Sequence, residues 1–196
     1  MNNSLYIWDV DDVLNNLTKD FINYITPSIP YETILNPNIH DSLGLSQDDY
    51  LYELDNFRRR EYLNLKPNLD LTNFIKSRKN SMHYVLTSVP HEFIEISFCW
   101  VKRNFDKTFF GYLFAPSRRE NGNLKMPIKR DHLNNLNLFG RKTFFIDDNP
   151  YNFINIDNTS ITKVLWPQPW NSSGKSLKKG EKYIEKLFEE NLNECT

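Results

Sequence analysis

Three short apolar segments, each ending at polar residues, constrain the fold of this 196-residue chain more than any other feature. Such segments are typical of buried strands, and amphipathic helical patterns lie between them. Strands that alternate with helices predict an α/β fold, a parallel sheet covered by helices on both faces. The three segments are residues 5–8 before Asp9, 83–86 before Thr87, and 143–146 before Asp147.

Weaker patterns complete the alternation of strands and helices. Two further strands are expected at 109–114 and 161–165, a helix is expected with Pro127 in its first turn, and a last helix over roughly 180–192. Ligands of open parallel sheets bind beyond the carboxyl ends of the strands. Because three strands here end in polar residues at that edge, the sequence predicts a ligand site there.

The stretch 15–82 is too long for a single crossover connection between two strands. A helix is expected over 18–25, and Ser46 starts another with acidic residues in its first turn. We therefore predict a core formed by 1–14 and 83–196, with 15–82 inserted as a small helical cap over the sheet edge. The alternative is that these helices belong to the main core.

The charge balance argues against some classes of partner. Lys and Arg total 24 against 25 Asp and Glu, a net charge of −1, whereas nucleic-acid and membrane-surface binders usually carry a basic excess. No apolar run approaches the roughly 20 residues of a membrane span, and acidic residues from Asp9 onwards interrupt any signal-peptide pattern. Cys99 and Cys195 have no metal-site spacing, and we expect a reduced, cytoplasmic protein without membrane or nucleic-acid partners.

Asp9, Asp11 and Asp12 directly follow the first strand. A loop that begins there can bring two carboxylates to one point, although on a strand they would face opposite sides. Such a pair suits phosphoryl transfer, in which one carboxylate attacks phosphorus and the other protonates the leaving alcohol and later activates water. A solvated acidic turn or a helix N-cap is the alternative for an isolated pair.

A second acidic pair, Asp147 and Asp148, is expected at the same sheet edge. Carboxylates that meet there repel one another unless a cation lies between them, and Mg²⁺ takes hard oxygen ligands of this kind. Thr87 and the N–H groups of the turn after it suit a phosphate oxygen. Lys125 or Lys129 would neutralise the phosphoryl charge, although each of these signals is weak alone.

Together these groups resemble the haloacid-dehalogenase superfamily of hydrolases. Its members carry, in order, a strand ending in Asp-x-Asp, a strand ending in Thr or Ser, a lysine, and a strand ending in acidic residues. The resemblance implies a three-layer Rossmann-like core and a Mg²⁺-dependent phosphatase that forms an aspartyl-phosphate. In this chain the motifs are Asp9-Val10-Asp11-Asp12-Val13-Leu14, Thr87-Ser88, Lys129 (or Lys125), and Asp147-Asp148.

The resemblance also implies roles for individual residues. Asp9 would be the nucleophile and Asp11 the general acid and base, as in phosphatases rather than dehalogenases, and Thr87 would hydrogen-bond the phosphoryl group. Lys129 would steady that group, because the segment it begins is similar to the Lys-x-x-His-Phe-x-x-Leu segment of superfamily phosphatases. The Lys-Pro form of other branches favours Lys125 instead.

The implied metal site comprises four of these aspartates. Mg²⁺ would be bound by the carboxylates of Asp9 and Asp147 and by the backbone carbonyl of Asp11, with Asp148 acting through water. In place of the glycine that often follows the first motif, this chain has Asp12, whose charge could tune the affinity for metal.

Within the superfamily, the layout is most similar to the 5′(3′)-deoxyribonucleotidases, which also carry a helical cap after the first motif. The resemblance implies a nucleoside monophosphate as substrate, although the stretch 114–142 is longer than in that branch. A sugar phosphate, a nucleic-acid terminal phosphate, transfer to an acceptor other than water, and phospholigand binding without turnover are the alternatives. The segments that match the branch are Thr87-Ser88-Val89-Pro90, Asp147-Asp148-Asn149-Pro150 and 165–171.

The predicted cap would select the substrate by closing over the phosphoryl site. Its aromatic residues, with Trp8, are candidates for a surface on which a base stacks, although we expect Phe57 in the core. The arginines Arg58 to Arg60 could contact phosphate, but a solvated helix face is the preferred explanation. The other aromatic candidates are Tyr50, Tyr52 and Tyr62.

Overall fold

The computed structural model describes residues 4–78, 80–105, 108–117, 119–120, 126–136, 138, 140–171 and 183–188. Its centre is a sheet of five strands in the order β3-β2-β1-β4-β5, in which all neighbours are parallel. This confirms the predicted α/β fold; β3 begins two residues later than predicted and β5 has its predicted bounds. The strands are β1 Leu5–Trp8, β2 Met82–Val89, β3 Gly111–Pro116, β4 Thr143–Asp147 and β5 Ile161–Leu165.

Helices lie in the connections between the strands, because parallel strands need crossover connections. Four of them lie in the long connection between β1 and β2, and residues 183–188 are also helical. None of the helices in the described ranges is long and apolar enough to cross a membrane. The α-helices with defined bounds are α1 Leu17–Ile25, α2 Ile39–Leu43, α3 Gln47–Glu61, α4 Leu69–Ser77, α5 Ile94–Phe105 and α6 Lys129–Asn135.

Two apolar cores cover the two faces of the sheet. Tyr6 and Trp8 of β1 belong to one core and Leu5 and Ile7 to the other, as the alternation of side chains along a strand requires. All four are buried. Aromatic rings fill much of the first core, where the Tyr6 and Phe144 rings stack with centroids 5.1 Å apart. The sheet is therefore held from both sides, which fixes the positions of its strand ends.

The predicted cap stretch, 15–82, contains helices α1 to α4. Phe74 of α4 packs edge-on against Tyr6, with ring centroids 5.6 Å apart, so α4 is in direct contact with the sheet. The division into a core of 1–14 and 83–196 and a cap of 15–82 stays a prediction.

The start of α6 differs from the sequence prediction. The Asp131 carboxylate accepts a hydrogen bond from Ile128 N at 3.1 Å, and the helix begins at Lys129. The expectation that Pro127 lies in the first turn is therefore wrong, because this cap places the start two residues later. Of the helix predicted over 180–192, the part outside 183–188 lies beyond the described residues.

Candidate active site

The sheet register places the two acidic strand ends side by side. Trp8 of β1 pairs with Ile146 of β4, so Asp9 lies beside Asp147 at the carboxyl edge of the sheet. β2 pairs with β1 on the other side and brings Thr87 to the same edge. Asp9 is 7% exposed and Asp147 is fully buried. The sheet therefore brings together three of the residues that the sequence predicted for the site.

Lys129 lies between the two carboxylates. Its Nζ is 2.8 Å from Asp9 Oδ2 and 2.7 Å from Asp147 Oδ2, and its side chain is buried. Burial alone would lower the pKa of an ammonium group, but the Asp147 and Asp9 carboxylates outweigh it and raise the pKa of Lys129. The group therefore carries a positive charge at neutral pH. Lys125 lies outside the described residues, and the assignment of Lys129 as the phosphate-binding lysine stays a prediction.

Three carboxylates form an acidic cluster at this edge, defined by Asp9, Asp147 and Asp148. One oxygen of each lies within 4.8 Å of the others. Burial, supported by Asp147 and opposed by Lys129, raises the pKa of Asp9 to about 7. Burial and the charge of Asp147 likewise raise the pKa of Asp148. One ammonium group therefore does not neutralise the acidic cluster.

The acidic cluster fits a hard divalent cation. Mg²⁺ binds oxygen ligands at about 2.0–2.1 Å in octahedral geometry, which separates those ligands by roughly 3–4 Å. The cluster oxygens all lie within 4.8 Å of one another. Asp147 is also held in place, because Asn152 Nδ2 donates to both of its oxygens at 3.0 Å and Asn149 N donates to Oδ1 at 2.9 Å. The sequence prediction did not include Asn152, since an amide in a loop has no periodic signal.

Thr87 is fully buried, and its hydroxyl has no hydrogen-bond partner among the residues that the structure describes. A buried hydroxyl left without a partner costs about 1–3 kcal/mol. A ligand oxygen at this edge of the sheet would remove that cost. The contact between Thr87 and a phosphoryl group stays a prediction.

The Asp11 carboxylate contacts the predicted cap and lies outside the acidic cluster. Oδ1 accepts hydrogen bonds from the Tyr62 hydroxyl at 2.5 Å and from Asn15 Nδ2 at 3.1 Å, and Oδ2 accepts one from Arg58 Nη2 at 3.1 Å. The expectation that Arg58 lies on a solvated helix face is wrong, because the residue is only 8% exposed. The acid–base role of Asp11 and the metal contact of its carbonyl stay predictions.

Asp12 has a structural contact, and its suggested influence on metal affinity stays a prediction. Its carboxylate accepts hydrogen bonds from the backbone N–H and the hydroxyl of Thr18, in the first turn of α1. Its backbone has a φ of 61°, a left-handed conformation that Asp tolerates better than most residues. The Asp12 side chain therefore fixes the loop after β1 to α1.

Two amides in the segment after β5 support the site and were not among the predicted residues. Gln168 Nε2 donates to the backbone carbonyl of Asp12, and the Gln168 Oε1 accepts from the Tyr31 hydroxyl. Asn171 Nδ2 donates to the backbone carbonyl of Asp148. This segment therefore connects both acidic loops, although its sequence gives no sign of these partners.

Most of the aromatic residues suggested as a stacking surface lie in the core. Trp8 and Tyr62 are fully buried, and Phe57 is buried as expected. Tyr50 packs against an α1 ring at 5.6 Å, and Tyr52 is the exposed member of the set. Trp8, Phe57 and Tyr62 are therefore not available to stack a base, and the suggestion stays a prediction for Tyr50 and Tyr52 alone.

A cleft of about 250 Å³ opens beside Lys129, at the ends of β2 and β3. Tyr151 and Ile154 are more than half exposed at its rim. It offers room for a small ligand next to the predicted phosphoryl site. Its lining residues are Ser88, Pro116, Ile128, Lys129, Arg130, Tyr151, Asn152 and Ile154.

The fold has counterparts among solved structures. A hydrolase from Streptococcus pneumoniae TIGR4 has a TM-score of 0.57 at 11% identity, covering 96% of this chain and 100% of that chain. A HAD-superfamily hydrolase of subfamily IA, variant 1, from Geobacter sulfurreducens PCA has a TM-score of 0.51 at 12% identity, covering 94% and 98%. No protein-family model and no curated protein matches the sequence. The chain therefore has a haloacid-dehalogenase-like fold, and identities this low establish the fold alone.

Proposed function

We propose that this chain is a Mg²⁺-dependent phosphatase for small phosphomonoesters, acting through an aspartyl-phosphate on Asp9. The observation that carries the proposal is the buried acidic cluster, whose oxygens lie within 4.8 Å of one another while Lys129 bridges two of its members. A buried ion pair that serves stability alone would match its charges. Three carboxylates and one ammonium group leave an excess of negative charge, which a bound divalent cation would offset.

In the proposed mechanism Asp9 is the group that attacks phosphorus. Its Oδ1 accepts a hydrogen bond from Val10 N at 2.8 Å, which fixes the carboxylate at the end of β1. Attack by Asp9 forms an acyl phosphate and breaks the P–O bond to the leaving alcohol; water then attacks phosphorus and restores the carboxylate. The Thr87 hydroxyl donates to a phosphoryl oxygen, and the Lys129 ammonium offsets its charge.

The same residues account for the metal and the proton. Asp9, Asp147 and the backbone carbonyl of Asp11 would hold Mg²⁺, with Asp148 bonded through water. Bound there, the ion offsets the charge that carboxylates and phosphate share. Asp11 protonates the leaving alcohol and then accepts a proton from the attacking water.

Within this activity, a nucleoside monophosphate is the first substrate to test. Its support is the motif layout of the sequence and the exposed Tyr151 ring at the cleft beside Lys129, because an exposed aromatic ring can stack a base. The burial of Trp8, Phe57 and Tyr62 removes the support that the sequence suggested. A sugar phosphate or a nucleic-acid terminal phosphate would use the same chemistry.

The test is release of inorganic phosphate from a panel of nucleoside monophosphates and sugar phosphates, with Mg²⁺ or with EDTA. Asp9→Asn retains the size of the side chain but removes the nucleophile, so we expect turnover to fall by at least about 10³-fold. Asp41→Asn, at an exposed position of α2, is the matched control and should keep wild-type activity.

Two results would contradict the proposal. Turnover retained by Asp9→Asn would refute the covalent mechanism. A folded wild-type protein that releases no phosphate from any ester would favour the non-catalytic alternative, a protein that binds a phosphorylated ligand without turnover.

A further inference from the structure

Arg58 is a buried cation that reaches from α3 to the loop after β1. It is 8% exposed, and its Nη2 lies 3.1 Å from Asp11 Oδ2. Its Nη1 lies 3.6 Å from Asp55 Oδ1, one turn earlier in the same helix. The sequence motifs of the site do not include this arginine, yet it contacts the residue that the proposed function makes the acid.

The Arg58 guanidinium has hydrogen-bonding capacity that its neighbours do not use. Its Nε is buried and has no acceptor among the described residues. Asp55 has a second ion-pair partner, because Arg119 donates hydrogen bonds to both Asp55 oxygens, at 2.8 and 3.0 Å. A guanidinium presents five N–H donors in a rigid fork that matches carboxylate and phosphate groups. Arg58 is therefore a fixed, incompletely paired cation at the site.

The contacts of Asp11 show which of its oxygens is available for catalysis. Among the described residues, Oδ1 accepts hydrogen bonds from Tyr62 and Asn15, whereas Oδ2 accepts only the one from Arg58. A general acid must present its proton within hydrogen-bond distance of the leaving oxygen. Because a carboxylate oxygen has two lone pairs, Oδ2 is the oxygen that can carry the proton, and a second acceptor for Arg58 would free Oδ2 to approach the leaving oxygen.

Distance limits where that acceptor is located. A general acid acts at about 2.6–3.2 Å from the leaving oxygen. An Arg58 nitrogen that is hydrogen-bonded to the Asp11 carboxylate therefore lies within roughly 6 Å of the leaving oxygen. A carboxylate or phosphate a few bonds from the ester oxygen falls in this range. A longer tether would carry the anion beyond Arg58.

We propose that Arg58 selects phosphomonoesters whose leaving alcohol carries a second anionic group close to the ester oxygen. The anion takes the guanidinium donors that now hold Asp11 Oδ2, and this releases Asp11 for proton transfer. The proposal rests on the proposed phosphatase activity and names its substrate class. Phosphorylated short hydroxy acids and bisphosphates meet the requirement, and a nucleotide meets it with a second phosphate.

The experiment compares kcat/KM for substrates matched except for the second anion. 2-Phosphoglycolate is compared with 2-hydroxyethyl phosphate, and propane-1,3-diol bisphosphate with its monophosphate. We expect the wild-type protein to prefer the anionic member of at least one pair, and Arg58→Gln to lose about 10- to 100-fold of that preference. Arg58→Lys should keep part of it, because it retains the charge without the fork.

Arg59→Gln is the matched control, because Arg59 is half exposed and pairs with Glu92. It should keep the wild-type preference. The ratio of kcat/KM for the two substrates of a pair, measured with one variant, separates loss of anion binding from loss of folded protein. A structural defect lowers activity on both substrates and leaves their ratio unchanged. Preference for the carboxylate pair or for the bisphosphate pair identifies which anion Arg58 binds.

p-Nitrophenyl phosphate separates failure of this inference from failure of the proposed function. Its leaving group carries no second anion, and p-nitrophenol is acidic enough to leave as its anion with little help from a general acid. If the wild-type protein hydrolyses it but shows no preference in either pair, the role of Arg58 is refuted and the phosphatase stands. A preference that survives in Arg58→Gln refutes it equally. No phosphate release from any ester overturns both proposals together.

Discussion

His83 lies at the centre of the buried aromatic core. Because it is buried as a neutral ring, we expect the free energy of unfolding to fall in acid. His83 is 1% exposed, its ring stacks 5.2 Å from that of Tyr6, and its Nδ1 accepts a hydrogen bond from Trp8 Nε1 at 3.1 Å. Accepting at Nδ1 requires a neutral ring. Burial lowers the pKa of His83 from 6.5 to about 4. The His83 ring therefore binds a proton more weakly in the folded protein than in the unfolded chain.

The sign and size of the effect follow from linkage. The unfolded state binds more protons once the pH falls below about 6.5, so stability falls from there until the folded protein also protonates near pH 4. A shift of roughly 2.5 pKa units amounts to about 3 kcal/mol when complete. As the pH falls from about 7 to about 4.5, roughly 2 kcal/mol of this stability is lost. Asp9 and Asp148, whose pKa values are raised, change stability in the opposite direction.

His83→Phe isolates the histidine, because it keeps an aromatic ring in the core and removes the titration. Urea unfolding followed by circular dichroism gives the free energy of unfolding of both proteins at about pH 7 and about pH 4.5. The variant leaves Trp8 Nε1 without its acceptor at both pH values, a cost of about 1–3 kcal/mol that cancels in the comparison. From about pH 7 to about pH 4.5, we expect the free energy of unfolding of the wild-type protein to fall by about 2 kcal/mol more than that of the variant. The same difference at both pH values would refute the reasoning.

Two further predictions concern the residues around the phosphoryl site. Lys129→Ala should lower turnover by about 10²–10³-fold and the free energy of unfolding without Mg²⁺ by about 3–5 kcal/mol, because Asp9 and Asp147 lose their shared counter-charge. A larger activity loss in Lys125→Ala, measured in parallel, would assign the role to that lysine instead. Thr87→Val should lower kcat/KM by about tenfold or more while leaving thermal stability unchanged or higher, because it removes a buried hydroxyl that has no partner in the described part of the chain. A loss of stability matching the loss of activity would show that Thr87 has a structural partner.

The site residues at the strand ends were predictable from sequence because a parallel sheet leaves little freedom there. Once residues 5–8 and 143–146 are adjacent parallel strands, Asp9 and Asp147 must lie at the same edge. Lys129 was reached by resemblance, since nothing in its helix pattern shows a lysine buried against two carboxylates.

The contacts of the loops could not be predicted, because they join residues far apart in sequence. Gln168 and Asp12 are separated by 156 positions, and Arg58 and Asp11 by 47. Periodicity also predicted the wrong environment for Arg58. A run of three arginines on a helix indicates a solvated face, but the first of them points inward once α3 packs against the loop after β1.

Two buried cations hold the two carboxylates of the first motif in different ways. Lys129 fixes Asp9 from the sheet, through contacts to Asp9 and Asp147 that do not involve α3. Arg58 fixes Asp11 from α3, a helix of the predicted cap. In the proposed mechanism, a small displacement of α3 would therefore move Asp11, the proposed acid, while Asp9, the proposed nucleophile, stays in place. Since an acid is needed only when an alcohol leaves or water attacks, this division would let α3 control the proposed proton transfers without disturbing the proposed phosphoryl site.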